Sequence, residues 1–167
     1  FYKFKSGDFE APLFRLHFSS DAPTSIKALL FVGQSHDEKY GMGRMKPGVD
    51  LYSRKVLIEA SSAILPDWLR FVQGVVDSED IPLNISRESL QQNKALKAMK
   101  KNLVKSCLSM FEELAEDKEK YAKFYEQFSK SIKLGINEDA GNRDKIANLL
   151  RYSSSTSGEE MTSLDEY

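Results

Sequence analysis

The sequence predicts a mixed α/β (α+β) fold, with strands concentrated in the first half and helices in the second. Three observations carry this. Short β-favouring apolar runs recur before residue 80, at 13–18, 26–32, 51–59 and Val75-Val76. After Ser86 the apolar spacing changes to three or four residues, the period of an amphipathic helix. Glycine, proline and small polar residues punctuate the boundaries.

Residues 1–10 hold Phe1, Tyr2, Phe4 and Phe9 among polar neighbours and read as a helix end or a surface segment. Residues 13–18 alternate well enough for a strand. Asp21-Ala22-Pro23 is a turn, and 26–32 is a buried strand. Residues 33–48 contain four glycines, one proline and no apolar period, and are expected to form a flexible, disordered loop. A third strand is expected over 51–59. Residues 65–72 read as a short helix with Pro66 near its start, broken by Gly74. Val75-Val76 then supply a short fourth strand.

The helical half is read from its stripes. Leu96, Met99, Leu103, Cys107, Phe111 and Leu114 mark one long helix that opens near Ser86. A second helix spans about 118–134, with Tyr121, Phe124, Tyr125, Phe128 and Ile132 inward, and Gly135 and Asn137 stop it. A third covers about 142–152. The tract 153–158 reads as a linker or lid.

The totals exclude several classes. The chain has 167 residues, is 41% hydrophobic, and balances 24 basic against 25 acidic residues. That gives no basic footprint for nucleic acid. No apolar run approaches the roughly 20 residues of a membrane span. One cysteine permits no internal disulfide, which fits a reducing compartment. No targeting segment is visible. The chain begins at Phe1 and is expected to be a piece cut from a longer protein. His17 and His36 lack ligand company, so no metal is assigned. Trp68 and Cys107 are expected in the core. Lys94, Lys97, Lys100, Lys101 and Lys105 flank the long helix, as a solvated face or a surface for an acidic partner.

The stretch 74–92 carries the chemistry. It runs from an apolar strand through an acidic loop to Pro82-Leu83-Asn84 and a helix mouth occupied by Arg87. The first helical turn carries partial positive charge, so a cation there is locally unfavourable. The outward N–H groups of that turn attract anions. Arg87 in this place suggests an anion arriving from outside the chain. The plainer reading is a solvated arginine paired with Glu88. Gln91 lies four residues on, and so on the same helical face. Ser86 is expected to cap the helix, and Asn84 to shape the loop with it.

The run 74–92 closely resembles the catalytic loop of the middle domain of the heat-shock protein 90 chaperones. Further ordered likenesses are Leu51-Tyr52-Ser53-Arg54-Lys55-Val56-Leu57-Ile58, Leu65-Pro66-Asp67-Trp68-Leu69-Arg70-Phe71, Ile132-Lys133-Leu134-Gly135-Ile136-Asn137-Glu138-Asp139, Leu149-Leu150-Arg151-Tyr152-Ser153-Ser154 and Thr162-Ser163-Leu164-Asp165-Glu166-Tyr167. Together they cover nearly everything but the 33–48 loop.

The resemblance implies an α-β-α layered subdomain with a mixed sheet over 1–90 (ribosomal protein S5 domain 2-like), with the catalytic loop at 78–92. A three-helix connector over 91–152 follows. Residues 153–167 then lead into a small α/β subdomain beyond the chain. The resemblance also implies a function. Arg87, supported by Gln91 and with Asn84 beside it, contacts the γ-phosphate of ATP that is held with Mg2+ by a separate N-terminal domain. The fragment alone is expected to be inactive and to bind no cofactor itself. Implied partners are that N-terminal domain, client proteins, co-chaperones and a second copy of the full-length chain.

Phe9 stands where relatives carry an exposed tryptophan linked to client contact. Tyr52 to Ile58 and Trp68 to Phe71 look like the mitochondrial member. Leu90 to Lys94 and Ile132 to Asp139 look like cytosolic or endoplasmic reticulum members. The mitochondrial compartment is placed first.

Overall fold

The computed structural model describes residues 1–22 and 24–167. Among the described residues one five-stranded sheet is built from β1 (Phe14–Ser20), β2 (Ile26–Val32), β3 (Gly48–Ser53), β4 (Val56–Glu59) and β5 (Val72–Asp77), in the order β1-β2-β5-β3-β4. β3 and β5 run parallel and the other neighbours antiparallel, so the sheet is mixed as expected. The turn expected at Asp21-Ala22-Pro23 falls partly on Pro23, outside the described residues.

Register assigns the faces. Leu16 pairs with Leu30 and Phe18 with Ala28, while Leu30 and Ala28 pair with Gly74 and Val76 on β5. Val49 and Leu51 of β3 complete the row. Directly paired residues share a face, so this row forms one apolar side, and the β2, β3 and β5 members are buried. The long helices α3 (Lys94–Glu116) and α4 (Lys118–Glu138) lie over it. The opposite face is covered near Phe31 by α1 (Tyr2–Ser6). The Tyr2 ring lies tilted against Phe31 at 5.2 Å, and Lys5 pairs with Asp50. Helix, sheet and helices thus form three layers.

Phe71, just ahead of β5, joins the layers. Its ring lies 4.4 Å from Phe128, 6.0 Å from Phe111 and 6.0 Å from Phe124. Burying an aromatic ring of this kind stabilises by about 2–3 kcal/mol. Trp68 and Cys107 are fully buried, as expected. Burial also raises the Cys107 thiol to about 12, so it stays protonated and inert.

Several local readings are corrected. The expected single strand over 51–59 is a hairpin. Arg54 and Lys55 form its tip at φ 48° and 67°, the positive values that a two-residue type I′ turn needs. The expected helix over 65–72 is one 3₁₀ turn, Asp67–Leu69, and Val72 already belongs to β5. Gly74 is therefore inside a strand and breaks nothing. The helix opening at Ser86 is two helices, α2 (Arg87–Gln92) and α3, separated at Asn93. Asn93 sits at ψ 123° and caps α3 by accepting from the Leu96 N–H at 3.1 Å. The third helix is shorter than expected, as α5 (Arg143–Asn148). Tyr152–Ser153 pairs with Met161–Thr162 as the small hairpin β6–β7 around the serine tract.

Gly135 does not end α4, which runs on to Glu138. A Cβ there would stand 2.8 Å from the Trp68 indole, so the glycine is set by close packing. Gly135→Ala gains about 1 kcal/mol of helix propensity, but it pushes on a ring that the core prevents from moving, at about 1–3 kcal/mol. The expected result is a net loss of up to about 2 kcal/mol in urea melts; a stabilised variant would show the ring free to move.

The 33–48 loop is also packed rather than loose. It contains a 3₁₀ turn, Asp37–Tyr40, with Gly41 closing it at φ 76°. Arg70 holds its Glu38.

Candidate catalytic loop

The loop after β5 is anchored at both ends and open in the middle. The Ser78 N–H continues the sheet by donating to the Tyr52 carbonyl at 3.1 Å. Asp80 accepts from the Ser25 N–H at 2.6 Å, and its own N–H donates to the Ser78 hydroxyl at 3.2 Å. Ile81 is buried, and the Ser53 hydroxyl donates to its carbonyl. Ile85 packs half-buried against the core, and Leu90 is buried. Three apolar anchors therefore fix a segment whose polar side chains face outward.

Ser86 caps α2 as expected. It lies at φ −76°, ψ 158°, and its hydroxyl oxygen accepts from the Ser89 N–H at 3.2 Å. It also donates to the Ser89 hydroxyl at 2.9 Å, a contact that an apolar side chain at position 89 would not make. A cap of this type contributes about 1 kcal/mol and determines where Arg87, the first helical residue, emerges.

Leu83, Asn84, Arg87, Glu88 and Gln91 are all exposed. Among the described residues Arg87 has no ion pair and no hydrogen bond, and Glu88 is not its partner. Gln91 shares its face of α2 without bonding to it, and Asn84 stands free on the preceding turn. The hairpin tip brings further cations to this edge: the Lys55 N–H donates at 3.2 Å to Asp77, the residue that precedes the loop. A fork of five donors, held at its base and unsatisfied at its head, is equipped to take the oxygens of a phosphate or carboxylate.

The lysines singled out along α3 divide by exposure. Lys94, Lys97, Lys101 and Lys105 are exposed and Lys100 is half-buried. None is engaged in an ion pair among the described residues. Phe9 is 91% exposed. No described helix is long and apolar enough to cross a membrane.

Sequence reasoning missed a second polar centre. Arg70 donates from Nε to Glu38 at 2.6 Å, from Nη2 to the same carboxylate at 2.7 Å, and from Nη1 to Asp67 at 3.0 Å. Arg44 reaches Asp67 at 2.5 Å. The Arg70 fork holds the Glu38 carboxyl down at about 2, and the hydrogen bonds to Glu38 raise the guanidinium in turn. No local pattern announces a contact between residues 32 positions apart.

Comparison with known proteins bears on the family and the fold. The family model described as "Hsp90 protein" matches residues 1–167. Heat shock protein 83 of Leishmania donovani is 49% identical over 169 residues, spanning 100% of this chain and 37% of that protein. A mitochondrial TNF receptor-associated protein 1 homolog of Dictyostelium discoideum is 46% identical, over 100% of this chain and 24% of its own length. An endoplasmin homolog of Caenorhabditis elegans is 41% identical, over 100% and 22%. The chain spans well under half the length of each of these relatives. Among solved structures, the middle domain of a Plasmodium falciparum heat shock protein superposes with a TM-score of 0.82 at 31% identity, covering 98% of this chain and 63% of that one. The chain thus belongs to the heat-shock protein 90 family of chaperones and has the fold of its middle domain.

Proposed function

We propose that this chain supplies Arg87 to the terminal phosphate of ATP held, with Mg2+, by an N-terminal domain of the same protein. It couples that hydrolysis to the folding of client proteins. The observation that carries the reading is the exposed guanidinium, unpaired among the described residues, on a loop pinned by Ile81, Ile85 and Leu90. As the terminal phosphoryl group passes to water, negative charge spreads over its oxygens, and a positioned arginine stabilises it. Gln91 lines the same approach, and Asn84 contacts the nucleotide side of the loop. Residues 1–90 act as the large subdomain, 91–152 as the connector and 153–167 as the lead into a small subdomain, within a protein that works as a homodimer. The mitochondrial compartment is our first choice, on the likeness of 52–58 and 68–71. Steady-state ATP turnover of the full-length protein carrying Arg87→Ala tests the catalytic assignment.

A second reading, a docking module for co-chaperones and clients, is favoured by exposed Phe9 and by the unpaired lysine stripe on α3. The expected result is that amide shifts induced by an activating co-chaperone cluster on residues 94–105, or those induced by a client on residues 4–9. Lack of specific shifts at high micromolar partner would remove this reading.

A further inference from the structure

The 33–48 loop closes onto the helical layer at several points. Glu38 takes the Arg70 fork, and Lys39 meets Glu126 of α4 at 2.8 Å. Beside them His36 is only 4% exposed. Its ring meets Phe128 of α4 edge-on at 5.2 Å and lies 6.3 Å from Phe71. Its backbone N–H reaches the Gln127 side-chain oxygen at 3.4 Å. Among the described residues its Nε2 has no hydrogen-bond partner.

We propose that His36 is a protonation-gated latch, holding the 33–48 loop on α4 while its ring is neutral and releasing it as the medium acidifies. An imidazolium must place two N–H donors and a full charge, and this aromatic slot offers Nε2 no acceptor. The charged groups facing the ring divide. Asp37 and Glu38 on the loop favour the cation, and Arg70 below opposes it. From α4 come Phe128 and the Gln127 amide, with Glu126 already held by Lys39. Burial outweighs the carboxylates and sets His36 below the ordinary 6.5. Glu38, held at about 2, stays ionised throughout, so its pair with Arg70 does not titrate between pH 7 and 5.

The sign follows from linkage. The released ring binds a proton more readily than the docked one. Docking is therefore complete above about pH 6.5 and weakens as the pH falls below that value. The weakening stops once the docked ring is itself protonated. One proton limits the slope to about tenfold per pH unit.

Hydrogen exchange of the 167-residue chain between pH 7.5 and 5, expressed as protection factors, tests this. The reporters are the Lys39, Gly41, Met42 and Met45 amides, which are hydrogen-bonded in the docked loop. Their protection should fall up to about tenfold per pH unit below 6.5, while β2 and β5 amides keep theirs. His36→Phe, an aromatic of similar width, should leave the loop docked and its protection independent of pH. Flat protection in the parent chain, or equal pH dependence in H36F, overturns the proposal. Should H36F leave the loop unprotected at every pH, NMR titration of the His36 ring decides. A midpoint below 6.5, at the pH where the loss of protection levels off, supports the latch, and one at or above 6.5 overturns it.

Discussion

Arg87→Ala in the full-length protein should lower steady-state ATP turnover about a thousandfold, with nucleotide affinity unchanged. The magnitude is that of an arginine delivered to a transferring phosphoryl group. The split between turnover and affinity follows from where the residue stands. Arg87 is exposed and, among the described residues, unpaired, so it adds little to ground-state binding in another domain. A contact made only in the transition state lowers kcat without weakening substrate binding. The fold should not suffer, since a solvated side chain that neither caps a helix nor packs in the core changes stability by within about 0.5 kcal/mol. Arg87→Lys keeps the charge but loses the fork, and should still run more than about tenfold slow. Turnover within twofold of the parent, with closure of the two domains intact, would make the loop structural and shift the weight to docking.

How far this site was legible in the sequence depends on how local its causes are. Ser86 as a cap follows from one hydroxyl at a helix start. The α3 stripe follows from period alone, which put Cys107, Phe111 and Leu114 inside correctly. The catalytic role proposed for Arg87 rests on a likeness of motif; charge reasoning reaches only an anion contact.

The misreadings have distant causes. Arg54 and Lys55 turn a hairpin at positive φ without the glycine or asparagine that usually announces one. Glu38 and His36 are held by residues 32 and 91 positions away, so their loop looked free when read alone. Gly74 and Gly135 read as punctuation, because a glycine required by a neighbour looks the same in sequence as one required by a turn.

Gly74→Ala should be the most damaging small substitution in the sheet, at about 3–5 kcal/mol in chemical denaturation. Gly74 pairs with Leu30 across β2–β5 and sits at φ 148°, a value side-chain-bearing residues rarely adopt. An added Cβ would stand 2.0 Å from the Leu29 carbonyl oxygen and 2.9 Å from the Leu30 Cα. Both are backbone atoms of the neighbouring strand, so no rotamer change relieves the contact. The strands must part, which combines overpacking with backbone strain. The effect should also reach the site. β5 ends at Asp77 and feeds directly into the loop that presents Arg87, and β2 is preceded by the residue that anchors Asp80 on its other side, Ser25 just ahead of Ile26. Spreading this strand pair should loosen the loop base, so exchange of the Ser78 and Asp80 amides should rise along with the global loss. A loss under 1 kcal/mol would mean that the strands can separate at little cost, and the β2–β5 register could not then be what holds Arg87 in place.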